Sequence, residues 1–367
     1  MRILYAVPRS AWVDLNLRRS LEDMGHQLVR FDFPGWPDDA DPNWQRHGKP
    51  ATNDRLLARF RTALRDGPID LLFGYLYSSV VYPATIQEIQ RSGVPTVNFS
   101  CNNVHQFELV RDIAPHFDAC MVPERAALSS FASVGARVLR IQLAANPRVY
   151  RPLPEPRRFD VAFVGQRYAD RADFLLHLSR HGVQVHAWGA GWQPVKRLDV
   201  AHAKAALALI EDERLDGITR LLRARLARQR SHTNGTAEWV GPLPFGGPRL
   251  LHSDLVKTFS QARISLGFAA AGNAARERLT HLRLRDFEAP MSGALYMTER
   301  QDELAEYFDI GTEVLAYTDK YDLLEQTQYY LKHQEQAEVI RRNGLRRARA
   351  EHTWQHRFNE LFAALGL

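Results

Sequence analysis

Residues 144–165 read AANPRVYRPLPEPRRFDVAFVG, and this stretch decides the fold. Its first fifteen residues contain four prolines and no apolar periodicity, which is typical of a linker between domains. Asp160–Val164 then form an apolar run closed by Gly165, a pattern that predicts a buried strand followed by a loop. A helix is predicted from about Arg171. The alternation of strand, loop and helix therefore restarts after the linker.

The same alternation precedes the linker. Helices are predicted at Asp14–Met24, which ends at Gly25, and at Asn53–Arg65, where Asn53 is placed to cap the first turn. The predicted strands before the linker are Ile3–Val7, Gln27–Phe31, Ile69–Gly74, Thr96–Ser100, Ala119–Val122 and Val138–Ile141. Those after Asp160–Val164 are Val185–Trp188, Ile264–Phe268, Ala294–Thr298 and Val314–Tyr317.

This order of elements predicts an α/β protein made of two Rossmann-like, doubly wound domains that face a central cleft. The first domain is expected over residues 1–150 and the second over residues 151–350. Residues 351–367 are expected to hold a C-terminal helix, Trp354–Leu365, near the interdomain seam. Ligands of open α/β sheets bind at the carboxyl ends of the strands, so a ligand held by one domain would meet a ligand held by the other.

Composition narrows the class of protein. The chain has 367 residues, of which 45% are hydrophobic and 25% charged, as in ordinary globular proteins. No apolar run approaches the length of a membrane span, and the opening MRILYAVPRSAWVD is interpreted as a buried strand and not a signal peptide. Cys101 and Cys120 have no CxxC spacing, so neither a disulfide framework nor a zinc site is expected. A reducing, cytoplasmic setting follows.

The net charge of +6 favours anionic partners without choosing among nucleic acid, membranes and phosphate-bearing ligands. Basic residues concentrate at Arg214–Arg230 and in RRNGLRRARAEH at 341–352. The first segment is amphipathic and is interpreted as a core-facing helix with a solvated arginine face, or as a peripheral contact with an anionic membrane or polyanionic acceptor. No nucleic-acid-binding module is recognisable, so no nucleic-acid partner is expected.

The stretch HLRLRDFEAPMSGALYMTERQDELAEYF, residues 281–308, carries the strongest candidate for ligand binding. Its apolar residues have helical spacing, and Gly293 is expected to end the helix. Glu288 lies on this helix, where a carboxylate could accept hydrogen bonds from both hydroxyls of a ribose. The alternative is an ion pair with Arg285 or Arg283 on the helix surface. The spacing alone leaves both open.

Residues 284–357 resemble the C-terminal domain of the CgeB-like glycosyltransferases of the GT-B fold. The matching features are the FE pair followed by small residues and a glycine, TER…DEL…YF, GTEVLAY, a YYL helix and EHTW. The segments DVAFVGQRYADRADFLLHL, SAWVDLNLRRSLEDMGH and AANPRVYRP are also similar to this group. The resemblance implies a retaining transferase, hexosyl or related, that uses a nucleotide-diphosphate sugar, with a UDP-sugar favoured as donor and a small molecule or glycan as acceptor.

The resemblance also implies roles for individual residues. Glu288 takes the place of the ribose-binding glutamate, with Arg285 beside it on the donor side. Arg167, and Arg171 as second candidate, would supply cations to the diphosphate. Thr280 stands where many retaining members have a further glutamate that faces the donor sugar, which is a departure from their pattern.

The loop at 269–276 would approach the donor sugar, because Gly272 and Asn273 tolerate the turn that this requires. The fold needs no bound metal or other cofactor, since helix N-termini and basic side chains can neutralise a leaving diphosphate. The run at 38–41, Asp-Asp-Ala-Asp, imitates a metal-binding DxD motif but is interpreted as a solvated acidic loop.

In the first domain, SCNNVHQFE at 100–108 follows a predicted strand. Asn103 and His105 are the catalytic candidates there, with His105 as a proton relay, and Glu108 is placed on the acceptor side. The alternative is that Asn102 or Asn103 caps the next helix while His105 is exposed.

The loop after the first strand offers Arg9, Ser10 and Trp12 as acceptor contacts, with capping by Ser10 as the alternative. Two other functions remain open for the whole chain: a nucleotide-sugar epimerase of the same fold, and a non-catalytic protein that binds carbohydrate or nucleic acid.

Overall fold

The computed structural model describes residues 1–33, 35, 37, 39–193, 245–271 and 279–367. Six parallel strands form the first sheet in the order β2-β1-β3-β4-β5-β6. They are Arg2–Pro8 (β1), Gln27–Phe33 (β2), Leu71–Gly74 (β3), Thr96–Phe99 (β4), Ala119–Val122 (β5) and Val138–Arg140 (β6). Strands β3, β4 and β5 are buried along their whole length, as expected for parallel strands covered by helices on both faces.

A second six-stranded parallel sheet follows the linker in the order β14-β13-β10-β7-β8-β9. Its region comprises Phe159–Val164 (β7), Val185–Trp188 (β8), Gly246–Gly247 (β9), Ala262–Leu266 (β10), the short antiparallel pair Ala270–Ala271 (β11) and Leu279–Thr280 (β12), Tyr296–Glu299 (β13) and Leu315–Tyr317 (β14). The chain is therefore α/β with two parallel sheets, as the sequence predicts.

Helices connect these strands. The first, α1, joins a turn at Ala11–Val13, a π-helical segment at Asp14–Arg18 and an α-helical segment at Arg19–Asp23. The others described are Lys49–Asp66 (α2), Pro83–Gln90 (α3), Asn103–Gln106 (α4), Leu128–Ser133 (α5), Arg171–Arg180 (α6), His252–Gln261 (α7), Leu284–Met291 (α8), Lys320–Lys332 (α9), Gln334–Glu351 (α10) and Trp354–Leu365 (α11). A π-helical segment, Trp44–Gly48, leads into α2. Of the described helices, none is long and apolar enough to cross a membrane.

The cap predicted for Asn53 is wrong, because α2 begins four residues earlier, at Lys49. Asn53 instead lies inside the helix and is buried. Its Nδ2 donates to the carbonyls of Lys49, at 2.7 Å, and Val80, at 3.0 Å, and its Oδ1 accepts from the Tyr82 amide. The side chain therefore anchors the loop that precedes α3.

The C-terminal helix α11 packs against the first sheet although it follows the second one in the chain. Trp354 is fully buried, and its indole lies edge-on to Phe99 with ring centroids 5.9 Å apart. A bridge pairs Thr353 with Ala145, and Arg357 donates to the carbonyl of Gln142. The end of the chain thus contacts the segment that leads into the linker.

Ion pairs join the region that follows β13 to the first sheet. Arg140, at the end of β6, lies 2.8 Å from Glu303 and 3.0 Å from Glu306, and Arg125 also contacts Glu306. These contacts link the segment that follows β13 to the first sheet, and a cavity lies between the two sheets.

Candidate active site

A cavity of about 640 Å³ lies between the two sheets. On one side it is lined by Cys101, Asn102, His105 and Gln106, which follow β4, whereas Asn103 is not part of the lining. On the other side it is lined by the segments that follow β7 and β10 and by residues 281–285, which comprise the approach to α8 and its first two residues. These are the carboxyl ends of strands from both sheets, where ligands of open α/β folds bind.

The described lining is strongly basic. It carries three guanidinium groups, those of Arg171, Arg283 and Arg285, and two imidazoles, those of His105 and His281. Among the described lining residues there is no aspartate or glutamate. Three guanidiniums in the wall of a cavity whose described lining has no carboxylate favour an anionic ligand that accepts several hydrogen bonds.

Arg171 is the first residue of α6 and is only 4% exposed. Its guanidinium lies 3.7 Å from the ring centroid of Tyr168, donates to the Tyr168 hydroxyl at 2.6 Å and donates to the Gln166 carbonyl at 2.9 Å. Burial lowers the pKa of Arg171 to about 10. The charge of the neighbouring Asp170 acts on it, but no ion pair with a carboxylate is found within the described part of the chain, and its Nε has no hydrogen-bond partner there.

Arg167 lies next to the cavity wall. Its backbone amide donates to the Ala190 carbonyl at 2.9 Å, and its neighbours Gln166 and Tyr168 line the cavity. Burial lowers the pKa of Arg167 below its usual value. The diphosphate contact of Arg167 stays a prediction, whereas Arg171 has its side chain in the wall itself.

Glu288 is 1% exposed and forms an ion pair with Arg285, three residues earlier on α8. The pair foreseen as the alternative to ribose binding therefore exists, but Glu288 is in the interior and not on the surface. Arg285 lines the cavity with a side chain that is 32% exposed, and Glu288 lies behind it. The other carboxylate oxygen, Oε1, has no hydrogen-bond partner in the described structure.

Arg283 and His281 are lining residues that sequence reasoning did not select for the site. Arg283 donates to the carbonyls of Phe268, at 3.1 Å, and Ala270, at 2.6 Å. His281 is buried, its Nδ1 lies 2.9 Å from the Leu282 carbonyl, and burial lowers its pKa to about 4. The only signal in the sequence was the basic run HLRLR directly before the predicted helix.

In the first domain, a buried carboxylate shapes the loop that carries His105. Asn102 has a left-handed backbone with φ 65°, and its amide donates to Glu124. Asn103 is buried and donates to Glu124 at 2.9 Å and to the Ser100 carbonyl at 3.0 Å. Neither asparagine side chain caps the short helix α4, so the capping expected in the alternative is wrong, whereas His105 is exposed as that alternative expected.

His105 lines the cavity from this loop, and its ring lies 6.3 Å from that of His281 across the cleft. Burial, and then the charge of Arg283, lowers the pKa of His105 below its usual value. His105 is therefore mainly neutral at neutral pH and able to accept a proton. The side-chain amide of Asn103 is already hydrogen-bonded to the Ser100 carbonyl and to Glu124, so Asn103 stabilises the loop that carries His105.

Four residues were predicted for the acceptor side: Arg9, Ser10, Trp12 and Glu108. None of them lines the cavity. Trp12 packs edge-on against Tyr75, and Glu108 pairs with Arg111 at 2.5 Å on the surface. Ser10 stands at the start of α1 without a side-chain hydrogen bond to it, so its capping alternative is wrong. The acceptor contacts stay predictions.

Several predicted features lie outside the described residues. They are Gly272 and Asn273 of the donor-sugar loop, Asp38 of the DxD-like run and the basic segment Arg214–Arg230. Within the described part of the chain, no group of three or more His, Cys, Asp or Glu side chains is placed to hold a metal ion. Asp41 accepts a hydrogen bond from the Asn43 amide at 3.0 Å.

Solved structures of other proteins are similar to this architecture over nearly the whole chain. Sucrose-phosphate synthase from Thermosynechococcus elongatus has a TM-score of 0.58 and 14% identity, covering 99% of this chain and 100% of the other. HepE from Anabaena, solved with UDP and glucose, has a TM-score of 0.55 and 11% identity, covering 100% and 99%. A glycosyltransferase from Rickettsia africae has a TM-score of 0.56 and 11% identity, covering 99% and 97%.

This chain has the GT-B fold. Residues 214–363 also match the sequence profile of a family described as glycosyl transferase-like. Among curated proteins, none matches the sequence significantly. The predicted GT-B fold is thus confirmed, whereas membership of a glycosyltransferase family and of its CgeB-like subgroup stays a prediction. In the GT-B frame, the basic cavity occupies the cleft between the two domains.

Proposed function

We propose that the protein is a glycosyltransferase that moves a sugar, with retention, from a nucleoside-diphosphate sugar to a small-molecule or glycan acceptor. The observation that carries this proposal is the buried, unpaired Arg171 in a cleft lined by two further arginines. A diphosphate supplies the anionic oxygens that such a site lacks. A UDP-sugar is the favoured donor, and HepE, which shares the fold, was solved with UDP-glucose.

The three arginines hold the diphosphate in this proposal. Arg171 approaches from the N-terminus of α6, and Arg283 and Arg285 from the start of α8. When the bond to the sugar breaks, negative charge grows on the departing diphosphate, and fixed cations in a partly desolvated cleft stabilise it without reorganisation. Departure of the leaving group therefore needs no bound metal ion.

Glu288 binds the ribose after an exchange of partners. In the present geometry its Oε2 pairs with Arg285, which stands between it and the cavity. A diphosphate attracts the Arg285 guanidinium, and the released carboxylate can then accept hydrogen bonds from the two ribose hydroxyls. The ion pair is thereby a resting arrangement of the donor site.

In this proposal His105, which lines the opposite wall, transfers the proton. Its lowered pKa keeps the ring neutral at neutral pH, so that it can take the proton of an acceptor hydroxyl as the new bond forms. The hydrogen bonds from Asn102 and Asn103 to Glu124 fix the loop that presents it.

The test is Glu288→Gln, with UDP affinity measured by calorimetry and folding by the melting temperature. An amide keeps one acceptor oxygen and adds donors where the ribose already donates, so UDP affinity should fall about tenfold or more. The fold should persist, because Arg285 is 32% exposed and stays solvated when its partner is lost.

Glu338→Gln is the matched control. Glu338 also pairs with an arginine three residues away, Arg341 at 2.9 Å, but it is exposed and far along the chain from the cavity residues. UDP affinity should be unchanged in that variant. Equal affinities for wild type and Glu288→Gln would reject the ribose role.

A further inference from the structure

A chain of buried polar groups connects the first domain to Glu288. Asn16 of α1, Tyr150 of the linker and Trp354 of α11 are all fully buried. The indole Nε1 of Trp354 lies 3.1 Å from Asn16 Oδ1, and Asn16 Nδ2 lies 3.3 Å from the Tyr150 hydroxyl oxygen. Side chains from three distant parts of the sequence thus meet at one point beside the donor site.

The direction of these hydrogen bonds is fixed by chemistry. An indole N–H can only donate, so Asn16 Oδ1 is the acceptor, and the Asn146 backbone amide donates to the same oxygen at 3.2 Å. Asn16 Nδ2 is therefore the donor toward Tyr150. Because the Tyr150 oxygen already accepts this bond, its own O–H must point to a different acceptor.

Glu288 is the acceptor that faces this hydroxyl. Burial, followed by the charge of Glu288, raises the pKa of Tyr150 well above its usual value. The two side chains lie within hydrogen-bonding reach, which contributes further to this shift of the Tyr150 pKa. Glu288 Oε1 nevertheless accepts no hydrogen bond of standard geometry from the described residues. A buried carboxylate oxygen without a donor is costly, and the Tyr150 hydroxyl is a donor that can satisfy it.

We propose that Tyr150 is a positioning residue that donates its hydroxyl proton to Glu288 and holds the carboxylate toward the ribose of the donor. This rests on the proposed function. When the diphosphate draws Arg285 away, Tyr150 is the partner that keeps Glu288 in place. The linker and α1 thereby complete the nucleotide site of the second domain, and ribose recognition depends on how the two domains are joined.

The experiment compares Tyr150→Phe with Tyr5→Phe, using UDP and 2′,3′-dideoxyuridine diphosphate as probes in calorimetry. Tyr5 is a buried tyrosine whose hydroxyl has no hydrogen-bond partner in the described structure, so its variant controls for loss of a buried oxygen. Tyr150→Phe should lower UDP affinity about fivefold, the effect of one hydrogen bond. It should leave dideoxy-UDP affinity unchanged, because that probe has no ribose hydroxyls for Glu288 to bind.

Two results would overturn the proposal. Unchanged UDP affinity in Tyr150→Phe would mean that the hydroxyl does not support Glu288, and an equal loss for both probes would mean that it acts on something other than the ribose. Glu288→Gln separates this from the proposed function. If that variant loses UDP affinity while Tyr150→Phe does not, only the positioning role fails, and if neither loses affinity the ribose role fails as well.

Discussion

The burial of the Arg171 guanidinium is not explained by a contribution to the stability of the fold. Taking a guanidinium out of water costs several kcal/mol, and the usual compensation is a buried carboxylate. Here the guanidinium lies among the rings of Phe163, Tyr168 and Phe268, with centroids 5.3, 3.7 and 5.5 Å from its carbon, and donates two hydrogen bonds, to the Tyr168 hydroxyl and a backbone carbonyl. Cation–π contacts recover part of the cost. The part of the desolvation cost that stays uncompensated is expected for an arginine that binds an anionic ligand.

Replacing Arg171 by methionine separates binding from stability. Methionine fills much of the same volume without a charge, so the melting temperature should stay the same or rise. UDP affinity should fall by about 1.5–3 kcal/mol, the range for a hydrogen bond to a charged group. Calorimetry and thermal melting on one sample measure both.

Arg180→Met serves as the control, because Arg180 is exposed at the other end of the same helix. Its UDP affinity should match that of the wild type. A large drop in the melting temperature of Arg171→Met with unchanged UDP affinity would make Arg171 a structural residue.

At the scale of elements, the junction between α10 and α11 depends on a neutral histidine. His352 Nε2 lies 2.6 Å from the Tyr307 carbonyl and Nδ1 lies 3.2 Å from an Arg357 nitrogen. The arginine can only donate, so Nδ1 is the acceptor and Nε2 carries the proton. Burial, with a further contribution from the Arg357 charge, lowers the pKa of His352 to about 4.

This geometry predicts a pH-dependent stability. As pH falls below about 6.5, His352 becomes protonated in the unfolded chain, whereas in the folded chain it becomes protonated only near pH 4. The contribution of neutral His352 to the free energy of unfolding is therefore complete above about pH 6.5. It falls by about 1.4 kcal/mol per pH unit between about pH 6.5 and pH 4. His352→Gln should show a shallower loss of unfolding free energy between neutral pH and about pH 5 in urea titrations. Parallel slopes for the two proteins would contradict it.

Elements with strong local signals were predictable from the sequence. Ala119–Val122, Val185–Trp188 and Trp354–Leu365 have the predicted bounds, because short apolar runs and helical periodicity are local properties. Gly293 ends the helix as predicted, with φ +71°. The two-residue strands β9, β11 and β12 were missed, since strands that short have no periodicity to detect.

The site was less predictable than the fold. The sequence places Arg167, Arg171, Arg283 and Arg285 near strand ends, but which side chains enter the wall depends on packing between segments more than one hundred residues apart. The capping predictions for Asn53, Asn102 or Asn103, and Ser10 failed for a related reason. The side chains of Asn53 and Asn103 form hydrogen bonds with residues distant in the sequence. In addition, the helix that contains Asn53 begins earlier than the pattern indicates.

At the scale of the whole molecule, the end of the chain and the linker hold the two domains together. Helix α11 returns to the first sheet, and Arg140 pairs with glutamates that follow β13. The cavity between the sheets is lined from both sides, with His105 on one wall and Arg171 on the other. Donor and acceptor chemistry is therefore expected to require the intact two-domain chain.

Incubation of the full chain with UDP-glucose, followed by chromatography of the nucleotides, tests the central claim most directly. A transferase without its acceptor should transfer glucose slowly to water and so release UDP. Arg171→Met should reduce the rate of UDP release about tenfold or more, because the departing diphosphate loses a stabilising cation. The sugar nucleotide that remains should be unaltered UDP-glucose. Appearance of an isomerised UDP-sugar would identify an epimerase, and neither release nor binding of UDP by the wild type would contradict a nucleotide-sugar site in this cleft.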